Sequence, residues 1–203
     1  MKKVLQTAFL SLALLFSADT EAQLENGSLM PNGLVLTEIN GNVHDLDALL
    51  AEGKALFIDV SATWCGPCWN FHETNILKDV YTAYGPDGTN EARVFFIEGD
   101  AATTNAQLNG IGAGTQGDWV ANTPYPIVDD ASAANALETG FFPTLYMICP
   151  SRRVWHISPS EVGGYWTPER HIQNARACNN PIDAVVNNYT GVTNTCGYLA
   201  PFR

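Results

Sequence analysis

Residues 55–68 read ALFIDVSATWCGPC. A near-continuous apolar run, broken by Asp59, leads straight into two cysteines two residues apart. Such a run reads as a central strand covered on both faces. Beyond Pro67 no proline or glycine occurs until Gly85, and Phe71, Ile76, Leu77, Val80, Tyr81 and Tyr84 recur at helical spacing. The pattern predicts one helix over residues 65–84 with the cysteines at its N-terminus. Free amide N–H groups and the positive end of the helix dipole then face the Cys65 sulfur and favour its thiolate. Cys68 lies one turn further in, shielded and placed to attack a mixed disulfide. Pro67 suits the first turn, where its missing N–H costs nothing.

Other chemistries for this pair fit less well. Structural zinc needs four ligands, and Cys149, Cys178 and Cys196 supply no second CxxC. His72 lies two helical turns beyond Cys65, too far along the axis for shared chelation. Haem attachment needs histidine after the second cysteine, where Trp69 stands. His156 and His171 have no metal-ligand spacing either. GIGAGTQG (110–117) is not followed by GK[ST], so it reads as a flexible insertion loop that could shape substrate access. No metal and no cofactor are expected.

Working outward, residues 33–46 alternate apolar and polar around Asn40-Gly41, a hairpin signal. A short helix ending near Gly53 follows. ARVFFIEGD (92–100) reads as a second buried strand, residues 101–124 as a Gly-, Asn- and Thr-rich connection, YPIVDD (125–130) as a short strand and residues 131–139 as a short helix. FFPTLYMICPSRRVWHIS (141–158) gives two antiparallel strands, and TPERHIQNARAC (167–178) a helix capped by Thr167 with Pro168 in its first turn. Strands alternating with helices imply an α/β fold with a central mixed sheet.

The chain has 203 residues, 46 % of them hydrophobic, enough for one domain with extensions. Lys2 and Lys3 precede an apolar stretch over residues 4–16, too short to span a bilayer, and then SADTEAQ. This is the layout of a secretory signal peptide over residues 1–22, cleaved near Ala22, which leaves no membrane anchor. A short segment (23–33), a main domain (34–178) and a polar tail (179–203) follow. The formal charge of −11 argues against nucleic-acid partners. Five cysteines in an oxidising compartment leave at least one unpaired or paired between molecules.

The motif FIDVSATWCGPC resembles the active-site strand and turn of thioredoxin-fold proteins. The resemblance extends to Asp59, six residues before Cys65, and to Phe142-Pro143-Thr144, which resembles the cis-proline segment facing the active site in that superfamily. The opening hairpin, and the insertion with its extra strand and helix ahead of the cis-proline, are closer to the exported branch, the TlpA/ResA-like thiol–disulfide oxidoreductases. The resemblance covers roughly residues 34–178.

It implies a thioredoxin-like fold and a redox-active Cys65–Cys68 disulfide. Asp59, its pKa raised by burial, would take and return the Cys68 proton. Backbone beside Phe142 and Pro143 would meet substrate, with Trp64, Gly66 and Pro67 forming the rest of that surface. In such a fold Cys149 and Cys178 land at the same pole, which implies a structural Cys149–Cys178 disulfide, with Cys178–Cys196 as the rival pairing. Three positions depart from the family pattern. Glu73 stands where a helix-kinking proline is usual, Phe71 where many exported members carry glutamate, and Trp69 where a basic residue is common.

The implied function is reduction or exchange of disulfides in other exported proteins, in the periplasm or outside the cell, with a membrane thiol carrier as donor. The Gly-Pro pair resembles that of thioredoxins, which work at about −270 mV. The rival is a binding or accessory protein on the same scaffold, its CxxC permanently oxidised.

Overall fold

A computed structural model of the chain describes residues 23–157 and 168–177. A five-stranded mixed sheet runs in the order β5-β4-β3-β6-β7. Its strands are β3 (Ala55–Ser61), β4 (Ala92–Glu98), β5 (Ile127–Asp129), β6 (Thr144–Ile148) and β7 (Val154–His156). β3, β4 and β5 are parallel, while β6 is antiparallel to both β3 and β7. β1 (Val35–Thr37) and β2 (Val43–Asp45) form the expected hairpin, with Gly41 at φ 91° in its turn. The α/β class, the mixed sheet and the hairpin are as expected.

Every residue of β3 is buried because both faces of the sheet are covered. Phe57, Phe96, Leu145 and Met147 face one core, shared with Cys65, Cys68, Leu77 and Ile172. Ile58, Phe95, Ile97 and Tyr146 face the other, shared with Leu46, Leu50 and Ala133. Strand alternation therefore puts Asp59, two residues from Phe57, on the face that carries the cysteines. Both sheet edges are covered by chain from before β3. Gly27 and Met30 donate backbone bonds to Val154 and Arg152 along β7, and Ile39 donates to Ile127 on β5. Capping both edges denies them to other chains.

The helices are α1 (Leu46–Ala51), α2 (Gly66–His72), α3 (Ile76–Tyr84), α4 (Asn105–Leu108), α5 (Ala131–Ala136) and α6 (Pro168–Ala177). The single helix expected over residues 65–84 is in fact two. Thr74 Oγ1 donates to the Phe71 carbonyl at 2.7 Å, and Asn75 adopts a left-handed φ of 62°. Short polar side chains that bond local backbone compete with the helical ladder, and Asn tolerates the left-handed region. The break lies just past Glu73, so the chain bends there without the proline that the resemblance led one to expect. No helix among the described residues is long and apolar enough to cross a membrane. The leader over residues 1–22, the Thr167 cap and the tail from residue 179 lie outside the described residues.

Candidate active site

β3 delivers the chain to the Cys65 turn, where the Cys65 N–H donates to the Ala62 carbonyl at 2.9 Å. Cys65 is the N-cap of α2, and its sulfur accepts the Cys68 backbone N–H at 3.3 Å. The two cysteines form a disulfide with Cα atoms 5.2 Å apart. Cys65 retains 4 % exposure and Cys68 none. Gly66 is half-buried and Pro67 exposed, on the outer side of the turn.

Asp59 is fully buried on β3. One carboxyl oxygen accepts from Ser61 Oγ at 2.5 Å, while the other has no hydrogen-bond partner among the described residues. Burial pushes its pKa up to about 7, the Ser61 bond opposes this, and the nearby Glu98 charge adds to it. Tyr125 lies close enough to feel the Asp59 charge, and burial raises its phenol as well.

Glu98, which sequence reading did not single out, ends β4 in register with Ser61 and is fully buried. Its carboxylate accepts the Thr63 N–H at 2.8 Å and the Asp100 N–H at 2.9 Å. Burial raises its pKa to about 7 against these two amides. Asp100 in turn accepts from Trp64 Nε1 at 2.7 Å. That bond fixes the half-exposed Trp64 ring, which meets Phe142 edge-on at 6.1 Å. The signal in the sequence is a carboxylate closing an otherwise apolar strand, ARVFFIE.

The glycine-rich stretch read as a flexible loop is instead docked on the Cys65 turn. Gln116 donates its backbone N–H to the Thr63 carbonyl and its side-chain amide to the Trp64 carbonyl, both at 2.9 Å. Thr63 Oγ1 donates to the Gly114 carbonyl at 3.3 Å. α4, closed by a Thr104–Gln107 capping box, shapes the start of this segment. Its anchor is aromatic. Trp119 is buried and meets Trp69 edge-on at 4.9 Å, and Trp69 stacks on His72 at 5.4 Å. A side chain at Gly117 would collide with the Trp69 ring, so glycine is needed for this approach. Trp69 thus replaces the usual basic residue with a hydrophobic seat for the insertion. His72 has a packing role: burial lowers its pKa to about 4, and among the described residues only Thr123 is within hydrogen-bond reach of its ring nitrogens, at 3.4 Å.

Pro143 is buried, follows a cis Phe142–Pro143 bond and leads into Thr144, which pairs with Val60. It therefore enters the sheet at the end where β3 reaches Cys65. Cys149 lies at the opposite end, buried and disulfide-bonded. Cys178 and Cys196 lie outside the described residues, and the Cys149–Cys178 pairing with them.

Comparison with solved structures places this chain among thioredoxin-fold proteins. It is similar to a proposed thiol:disulfide interchange protein DsbE from Chlorobium tepidum, with 22 % identity, 75 % of this chain and 98 % of that one covered, and a TM-score of 0.51. It is similar to a proposed protein disulfide isomerase from Bacteroides thetaiotaomicron, with 16 % identity, 77 % and 89 % coverage, and a TM-score of 0.54. It is also similar to a proposed thiol-disulfide oxidoreductase from Bacteroides vulgatus, with 18 % identity, 68 % and 89 % coverage, and a TM-score of 0.50. At these identities the likeness establishes the fold. No family model and no curated protein matches the chain.

Proposed function

We propose that this chain is an exported thiol–disulfide oxidoreductase that passes electrons from a CGPC dithiol to disulfides of other exported proteins. One observation carries the reading. The Cys65–Cys68 disulfide stands at the N-terminus of α2, with the Cys68 amide on the Cys65 sulfur and the buried Asp59 carboxyl on the preceding strand.

In the reduced form the amide and the helix terminus favour the Cys65 thiolate. It attacks one sulfur of a substrate disulfide, and the other sulfur leaves as a thiolate. Cys68 gives its proton to the Asp59 carboxylate and attacks the Cys65 sulfur. The mixed disulfide breaks, the second substrate thiolate departs, and the Asp59 proton is returned to it. Two electrons have then passed to the substrate, and Cys65–Cys68 is oxidised. A protein dithiol, on a membrane thiol carrier, restores them by the same exchange. A base with a pKa near the working pH both takes and gives its proton readily, which suits Asp59. Phe142, Pro143, Trp64, Gly66 and Pro67 form the surface that meets the substrate. Export to the periplasm or beyond rests on the leader read in residues 1–22. The Gly-Pro pair supports the reducing direction, near the thioredoxin potential of about −270 mV.

A second reading, a binding scaffold whose disulfide is never reduced, draws support from the 4 % exposure of Cys65 and the insertion docked beside it. Insulin reduction by dithiol separates the two. The protein should accelerate insulin precipitation, and Cys65→Ser or Cys68→Ser should abolish the effect. Wild-type protein no faster than dithiol alone would leave the scaffold.

A further inference from the structure

The cations of this protein are unevenly placed between the two ends of its sheet. No lysine or arginine stands between Lys54 and Lys78, and none between Arg93 and Arg152. Those two stretches build every described element around Cys65: the end of β3, α2, the end of β4, the docked insertion, β5, α5 and the cis-proline loop. The second stretch carries Glu98, Asp100, Asp118, Asp129, Asp130 and Glu138. Asp118 and Asp129 are exposed, and Asp100 and Asp130 half-buried. Five of the seven described cations stand at the other end. Lys54 and Arg93 start β3 and β4, Arg152 and Arg153 form the β6–β7 turn, and Arg176 ends α6. There they are matched locally: Arg152 pairs with Asp47, Arg176 with Glu91, and Lys54 donates to the Asn90 carbonyl. The remaining described cations, Lys78 and Arg170, stand on α3 and α6, outside both stretches.

The acidic end also presents two large aromatic side chains beside Cys65. Trp64 is 49 % exposed, directly before Cys65 and against Phe142. Phe141 is 54 % exposed beside Phe142. A rim of half-exposed aromatics around a redox sulfur is a surface that another chain covers. The charges around it select which chain.

We infer that the rim of Trp64 and Phe141 docks a cationic polypeptide, one whose reactive disulfide is flanked by lysine or arginine. The inference rests on the oxidoreductase reading and names its class of partner. Complementary charge steers encounter and raises the association rate, and a like-charged partner is turned away. Each exchange with Cys65 begins with such an encounter, so partner charge enters the rate of thiol transfer directly.

The test uses the reduced full chain, two disulfide-bridged peptides identical except for flanking lysines or glutamates, and hydroxyethyl disulfide as a small neutral probe. Second-order rates are measured at about 20 mM and about 500 mM salt, which takes screening from long to short range. The lysine peptide should react about tenfold faster at low salt, with the ratio falling towards one at high salt. The D118N/D129N/D130N variant should narrow the low-salt ratio while leaving the rate with hydroxyethyl disulfide unchanged. Equal rates for the two peptides, or a ratio that ignores salt, would overturn the charge inference alone if hydroxyethyl disulfide is still reduced. Failure to reduce any of the three would overturn it together with the oxidoreductase reading.

Discussion

Glu98 accepts the backbone N–H of Thr63 at 2.8 Å, two residues ahead of Cys65. The same carboxylate holds the Asp100 N–H, and Asp100 holds the Trp64 indole. One side chain at the end of β4 thus ties the Cys65 turn to the sheet. Glu98→Ala leaves two amides in a buried site without acceptors, at about 1–3 kcal/mol for each. A lowered urea midpoint, with a shift in the oxidised-state Trp emission as Trp64 loses its anchor, is the expected outcome. Glu98→Gln keeps one acceptor oxygen and should cost roughly half as much.

The pH dependence of stability follows from the two buried carboxyls. Burial raises Asp59 from 3.8 to about 7 and Glu98 from 4.5 to about 7. Between about pH 4 and pH 7 the native state then holds protons that the unfolded chain has released, so stability falls as pH rises through this window. Asp59→Asn removes the Asp59 share. The variant should be more stable than wild type at pH 8 by about 2–4 kcal/mol, with the gap closing towards pH 4. Urea midpoints at several pH values check this. A gap that grows on acidification would have the wrong sign.

Asp59 also sets the pH profile of exchange, if it accepts the Cys68 proton. The rate should rise with pH up to about 7 and then level off. Asp59→Asn should slow the reaction by about a hundredfold or more, as loss of a general base does, and flatten this limb. Stopped-flow Trp fluorescence reads the step.

Cys68→Ala removes the sulfur proposed to resolve the mixed disulfide. Incubated with exported proteins, this variant should accumulate covalent adducts on Cys65 that dithiol releases. Cys65→Ala should accumulate none. Mass spectrometry of the released partners would identify the substrates, and their charge bears on the docking surface around Trp64 and Phe141.

Trp69 seats the insertion through Trp119 and His72. Trp69→Ala empties this seat and should cost about 3–5 kcal/mol, as large-to-small changes of aromatics in a packed setting do. Limited proteolysis should then cut within residues 109–117 faster than in the wild type. Gly117→Val should act in the same direction by forcing the Trp69 ring aside.

Much of this protein is legible in its amino-acid order. The apolar run into WCGPC, the hairpin around Asn40-Gly41 and the alternation of strands and helices are local periodicities, and each reports directly on which side of a strand or helix meets a core. The break at Thr74 and Asn75 escapes such a reading because apolar spacing continues across it. Both residues end the helix through bonds to their own neighbouring backbone, which periodicity does not record. The docking of residues 110–117 escapes for a different reason. Glycine, asparagine and threonine read as loop, and only Gln116, Gly114 and Gly117 meeting Thr63, Trp64 and Trp69 make it a wall.

The cysteine pair, its strand and helix, and the acidic balance of the chain are written in the order of residues, because they depend on neighbours a few positions apart. Folding was needed to make Glu98 clamp Thr63, to seat the insertion on Trp69, and to bring together at one end of the sheet the two stretches that carry no lysine or arginine. Parallel pairing of β3 with β4 brings Glu98 beside Ser61 across a separation of 37 residues, and no local pattern encodes contact over that distance.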